Sequence, residues 1–167
     1  MMWSMSHRYD VRALPLADRH YNRRKVGSPQ FVPPGRNICL LNEKATALWV
    51  TSWPYGEYVR HDWPGAWVNS LFRKECPGPA SAMITAAVAA TRKYWPVPEQ
   101  GIVSFVDPEH VPGVLVRGER IFGYCYLRAG WQHVGFTRKE GLWVWQLLPG
   151  AMPPALAPIG MQQRLFE

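Results

Sequence analysis

Nothing in this chain supplies a covalent staple or a membrane anchor. Its three cysteines, Cys39, Cys76 and Cys125, are odd in number, widely spaced and without a CxxC pair. That excludes a disulfide framework and a zinc cage of ordinary spacing, and three reduced thiols are expected. No run of eighteen apolar residues is present to span a membrane. The opening MMWSMSHRYD lacks the apolar stretch of a secretory signal, so a cytoplasmic protein is expected. Charged residues are sparse at 19%, and acids are the scarcer sign, 12 Asp and Glu against 19 Lys and Arg. No ligand spacing supports a metal, and none is assigned.

What remains is apolar and aromatic: 47% hydrophobic residues and nine tryptophans in 167 residues, enough for one globular domain with a real core. That domain is expected over residues 1–148. PGAMPPALAPIG then opens a tail, 149–167, too rich in proline to continue a sheet.

The positive surplus is uneven. Residues 1–36 hold seven Arg and Lys against Asp10 and Asp18, a net +5 of the chain's +7. A basic arm of this kind is the electrostatic footprint of a nucleic-acid partner, a solvated basic face being the alternative. Arg19, Arg23, Arg24 and Lys25 are the candidate phosphate-binding residues, and such binding weakens steeply with salt.

The stretch Phe72 to Tyr94, FRKECPGPASAMITAAVAATRKY, organises the rest. The strand before it, Ala66 to Phe72, is apolar apart from Asn69 and Ser70. Across a Gly/Pro turn the helix starts at Pro79, where a missing N–H costs nothing, with Gly78 as its N-cap. Met83, Ile84, Ala87, Val88 and Ala90 or Thr91 recur at helical spacing, which packs one face on a sheet. Pro79, Ala80 and Ser81 carry no bulky side chain, so the free N–H groups and the positive end of the helix dipole can approach a pyrophosphate.

In chain order, Val11 to Val26 reads as a short helix broken near Pro15, with Arg19, Arg23 and Arg24 exposed. GSPQFVPPGRN is a loop. Ile38–Leu41 and Ala47–Thr51 form a hairpin, and PYGEYVRHDWPG is a second, long loop. After the helix, GIVSFVD is a strand of the buried parallel type, and DPEHVPGVLVRGER a loop or small hairpin insertion. IFGYCYLRAGW is a short helix closed at Gly130, and WQHVGFT and LWVWQLL are a final antiparallel pair. Trp49, Trp67, Trp143 and Trp145 are assigned to packing. The fold class is α+β, or α/β in three layers, with a mixed central sheet and flanking helices.

Glu75-x-x-Gly78-x-Ala80 followed by Met83 and Ile84 resembles the acyl-CoA pyrophosphate loop of the GNAT N-acyltransferase superfamily, with Glu75 where that family has Arg or Gln and with Arg73 and Lys74 nearby as cations. Tyr126-x-x-x-Gly130-Trp131 is similar to the family's Tyr-x-x-x-Gly-Phe ending. Within the superfamily, His20-Tyr21 before Arg and Lys, Ser70-Leu71-Phe72-Arg73, the strand ending at Asp107 and Tyr126-x-x-x-Gly130 resemble the phage Mom-type proteins, which modify the exocyclic amine of adenine in DNA. The resemblance implies an acetyl-CoA-like donor held near Arg73, Gly78, Ala80 and Ser81, with Tyr126 as general acid. It also implies a carbamoylmethyl, acetamide-type product on adenine N6.

N6 is a poor nucleophile, so the reaction needs orientation and a proton acceptor. Asp107, at the carboxyl end of a strand, is the candidate acceptor. Tyr21 is a candidate for holding the base, and His20 for a base or ligand role. Tyr21, Trp53, Tyr55 or Trp63 could stack on an unstacked adenine. At the far end, Gln162-Gln163-Arg164-Leu165-Phe166 looks like the peptide that docks on the bacterial sliding clamp, with Gln162, Leu165 and Phe166 as contacts. Two other functions fit the residues: an N-acetyltransferase for a small amine or protein, and a basic DNA-binding module without catalysis.

Overall fold

A computed structural model describes residues 3–54, 59 and 61–158. The architecture is mixed α+β and dominated by sheet. Its strands are β1 (Trp3–Met5), β2 (Arg36–Asn42), β3 (Ala47–Trp53), β4 (Trp67–Lys74), β5 (Ile102–Val106), β6 (Val114–Val116), β7 (Glu119–Ile121), β8 (Gln132–Phe136) and β9 (Trp143–Leu147). The helices are α1 (Leu14–Asp18), α2 (Ala80–Tyr94) and α3 (Tyr124–Arg128). Seven strands join in the order β1-β2-β3-β4-β5-β9-β8, while β6 and β7 form a separate ribbon. Every pairing is antiparallel except β4 with β5. Among the described residues no helix is long and apolar enough to cross a membrane.

Alternation along β2 assigns the two faces. Ile38 and Leu40 join Trp49, Trp67, Ile102, Trp145 and the apolar stripe of α2 in the larger core. Cys39 and Leu41 point the other way, with Leu48, Val50 and Leu71, onto Ala13, Leu16 and Ala17 around α1. Strands covered on both faces read as near-continuous apolar runs, which is why β2 and β3 are so hydrophobic. Thr91 is the polar exception on the buried face of α2. Its hydroxyl reaches the Ala87 carbonyl at 2.9 Å and Thr51 Oγ1 at 3.1 Å, and Thr51 in turn accepts from Trp49 Nε1 at 2.7 Å. A closed network of this kind carries no desolvation penalty for unpaired groups.

Several expectations shift. Pro15 does not break a helix; it occupies the first turn of α1, which is only five residues long, so the helical layer on that face is thinner than a three-layer reading predicts. Pro79 is the N-cap of α2 and Ala80 its first residue, one position later than expected. β1 has no counterpart in the sequence reading, because three residues show no periodicity. Its Trp3 is buried and donates to the Met83 carbonyl at 2.9 Å. The insertion after β5 is a hairpin turning at Arg117 and Gly118, both at positive φ, as a two-residue turn of the primed type requires. Residues 149–158 are not a free tail: Met152 is buried, the Leu156 N–H donates to Ala89 O, and Arg92 holds the Pro153 carbonyl.

Gly101 sits at the start of the parallel pair, its carbonyl accepting from Trp67 N–H at 2.9 Å. Its φ is +67°, and a Cβ there would lie 2.0 Å from the Leu147 carbonyl oxygen. Gly78 also has positive φ, +104°, but faces open space. Gly101→Ala should cost about 3 kcal/mol, combining left-handed strain with a backbone clash, and Gly78→Ala about 1 kcal/mol of strain alone. Urea unfolding of both variants checks the contrast; equal costs would remove the clash argument.

Candidate functional site

The site begins where β4 and β5 part. They are paired from Trp67↔Ile102 to Asn69↔Ser104, after which β4 runs on to Lys74 and β5 to Val106 without further pairing to each other. The cause lies on the other edge of β4. Its register with β3 jumps from Thr51↔Asn69 to Val50↔Leu71, leaving Ser70 as the extra residue of a β-bulge, which bends the strand. Asn69 fixes that bend. Its Nδ2 donates to the Val50 carbonyl at 3.1 Å and the Leu71 carbonyl at 3.0 Å. Its Oδ1 accepts from the Tyr126 hydroxyl at 2.5 Å and the Ser104 hydroxyl at 3.2 Å. Both donors and both lone pairs of the amide are in use.

A cavity of about 340 Å³ fills the opening, lined by His20, Tyr21, Asn69, Ser104, Cys125 and Tyr126 among others. Tyr126 is buried, and desolvation holds its hydroxyl well above the usual phenol range, so it stays protonated at neutral pH. Cys125 is pushed up to about 11 by burial and remains a thiol rather than a nucleophile.

The outer wall is a ring stack. Tyr21 stacks with His20 at 4.5 Å and with His110 at 5.1 Å between centroids, so its faces are already taken. Burial lowers the pKa of His20, keeping the ring neutral. Asp107 stands one layer out, outside the cavity lining. Its N–H donates to the Tyr21 oxygen at 3.4 Å, and its carboxylate accepts from the Glu109 N–H at 2.9 Å and meets His110 Nδ1 at 2.8 Å. The Glu109 amide first, then His110, hold it below the ordinary carboxylate range.

At the end of β4 the charges divide by face. Arg73 is registered opposite Leu48 and Lys74 opposite Ala47; Leu48 belongs to the α1 side and Ala47 to the α2 side. Arg73 therefore lies across the sheet from Gly78, Ala80 and Ser81, with its Nε on Glu75 at 2.8 Å. Arg19 grips the same carboxylate through two bonds of 2.7 Å. Lys74 is the cation on the α2 side, and it donates to the Cys76 carbonyl at 2.5 Å. The first turn of α2 has no side-chain cap, and Gly78 is open around its missing Cβ, so the amides there stay accessible to an anion.

Arg23 is not exposed as expected: its side chain is 8% accessible, paired with Asp18 at 2.8 Å and donating to the Ser28 and Gln30 carbonyls. Arg24 and Lys25 are exposed. Trp53 is occupied by Trp67, Trp95 and the guanidinium of Arg36, and Trp63 lines a different cavity. Tyr55 and the clamp-like Gln162, Leu165 and Phe166 lie outside the described residues. Among the described residues no group of three or more His, Cys, Asp or Glu is placed to hold a metal. Two site residues were missed, Asn69 and His110. The signals were present: an amide in an otherwise apolar strand, and the i,i+3 spacing of Asp107 and His110 in a turn closed by His110 N–H to Asp107 O at 3.1 Å.

Asn69→Leu should lose about 3 kcal/mol, since two buried carbonyls and the Tyr126 hydroxyl are left unpaired; unchanged urea stability would contradict the role given to that amide. Glu75 is held down at about 2, first by Arg19 and then by Arg73. Because its folded pKa is depressed from 4.5, its stabilisation is present above that value and is lost as pH falls towards 2. Its side chain is 27% accessible, so solvent screening limits Glu75→Gln to about 1 kcal/mol at pH 7, with the gap to the parent closing near pH 2; a gap independent of pH would refute the ion-pair origin. The chain matches no family model, no curated protein and no solved structure.

Proposed function

We propose that the chain is a GNAT-like transferase of the Mom type that places an acetamide-type group on N6 of adenine in DNA. The observation that supports it most is the cavity at the carboxyl ends of the only parallel strand pair among the described residues, with the Tyr126 hydroxyl against Asn69 and the His20–Tyr21 stack in its wall. Crevices at that position are where sheets with parallel strands take ligands. No Asp or Glu lines the cavity, which suits a neutral aromatic amine. A cationic amine, the substrate of an ordinary N-acetyltransferase, would call for an acid there.

An adenine turned out of its duplex would extend the Tyr21 stack at one end, since both faces of Tyr21 are used. Asp107 orients His110, which like it lies outside the cavity lining, at the end of the Tyr21 stack; with Nδ1–H towards the carboxylate, Nε2 would be the proton acceptor that N6 requires. Tyr126 gives a proton to the leaving group. Lys74 and the amides after Gly78, at Ala80 and Ser81, would hold the pyrophosphate of a CoA-like donor; an acyl thioester would leave an N6-acyl group, so an acetamide-type product requires a donor whose leaving group sits on the methylene of a ready-made –CH2–C(O)NH2 unit and departs as N6 bonds to that carbon. Arg24 and Lys25 offer the exposed cations for DNA phosphates.

Nucleosides from the DNA of cells expressing the chain should contain a deoxyadenosine of increased mass. Tyr126→Phe and His110→Ala should each lower its amount by about a hundredfold, the scale of general acid–base catalysis. Unmodified deoxyadenosine in cells holding folded protein overturns the reading; full retention in both variants overturns the assigned residues.

A further inference from the structure

A second cavity, of about 490 Å³, lies on the other side of Phe105, which lines both. Its remaining lining comes from the 61–63 loop, the turn between β8 and β9, and Arg24. Three rings build its wall: His61 and Phe105 are 5.3 Å apart, His61 and Trp63 6.3 Å, and Trp63 and Phe105 6.4 Å. Three cations line it, Arg24, Arg138 and Lys139, against Asp62 and Glu140. Asp62 is answered by Arg138 at 3.2 Å, while Arg24 and Lys139 have no ion-pair partner among the described residues.

One polar group there is unsatisfied. His61 Nδ1 accepts from the Trp63 N–H at 3.0 Å, so in the neutral ring Nε2 carries the proton. That Nε2 is closed to solvent and has no acceptor among the described residues, and burial lowers the pKa of the ring. A buried donor without a partner costs free energy until an acceptor arrives. Aromatic faces and unpaired cations together describe a nucleotide: a base to stack and a phosphate to neutralise.

We propose that this cavity binds one nucleotide of an unpaired nucleic-acid strand, the neighbour of the residue held in the first cavity, with its base against Trp63 and its phosphate near Arg24 and Lys139. The word neighbour rests on the adenine-modifying reading, with Phe105 as the partition between consecutive residues. Binding of one flanking base would make the enzyme sensitive to the sequence beside its target. The nucleotide site itself needs neither donor nor turnover.

The test uses the full chain and two single strands of equal length and charge, one with bases and one abasic. The parent should prefer the base-bearing strand by about tenfold, the range of one base on an aromatic platform. Trp63→Ala should abolish that preference and Trp63→Phe should restore most of it. Lys139→Glu, on an exposed turn, should weaken both strands alike and lower the salt slope by about one or more. Equal binding of the two strands by the parent, a preference untouched by Trp63→Ala, or binding indifferent to Lys139→Glu overturns the proposal. If no modified nucleoside forms in cells but the Trp63-dependent preference is present, the adenine reading fails and the nucleotide site stands. If modification occurs and the preference is absent, the reverse holds.

Discussion

The side chain of Asn69 spans the bulge in β4, with its NH2 group on two strand carbonyls and its oxygen shared by Tyr126 and Ser104. A bulge frees backbone groups, and in a buried strand free groups cost 1–3 kcal/mol each unless something replaces the ladder. The amide is the right size to do so, with two donors and two acceptor sites. Once it is in place, β4 can turn away from β5 without leaving unpaired carbonyls, and the opening that results is the cavity. The same oxygen then fixes where the Tyr126 hydroxyl points, so the device that opens the sheet also orients the hydroxyl at the cavity floor.

Much of the positive charge in the N-terminal arm is tied up within the structure. Of the basic residues in the N-terminal arm, Arg12 pairs with Asp10, Arg23 with Asp18 and two loop carbonyls, and Arg19 with Glu75. Arg8 holds the Gly35 carbonyl. An arginine fork satisfies several acceptors at once, which suits it to clasp a loop that has little regular structure. Glu75 is the clearest case: it bridges the end of α1 and the end of β4 by taking both Arg19 and Arg73. The acid that departs from the resembled loop is thus a structural joint on the face opposite the helix N-terminus, and it leaves the α2 side to Lys74.

The two cavities differ in a way that follows from their walls. The inner one is lined without carboxylates and floored by satisfied polar groups. The outer one is aromatic and cationic, open towards the turn between β8 and β9. Phe105 alone separates them because β5 alternates: Ile102, Ser104 and Val106 face α2 and α3, while Val103 and Phe105 face the other way. One short strand therefore contributes to both.

Local pattern was enough for much of this. The stripe of Met83, Ile84, Ala87 and Val88 read as a helix lying on a sheet and Ile38–Leu41 and Ala47–Thr51 as a hairpin of strands, because each signal is contained within a few residues and depends on backbone period alone, while the segment after β5 stayed open between a loop and a small hairpin. Tyr126, Tyr21 and His20, singled out in the sequence, all line the inner cavity. What the sequence could not decide were the questions that need two distant segments at once. These include which face Arg73 takes, which a one-residue bulge sets; whether Arg23 is free, which Asp18 and two loop carbonyls settle; and where Asp107 acts, which depends on His110 and a ring stack brought in from residue 21. Parity along a strand, competition for a cation and contact across some ninety residues are properties of the folded chain, and only tertiary structure fixes them.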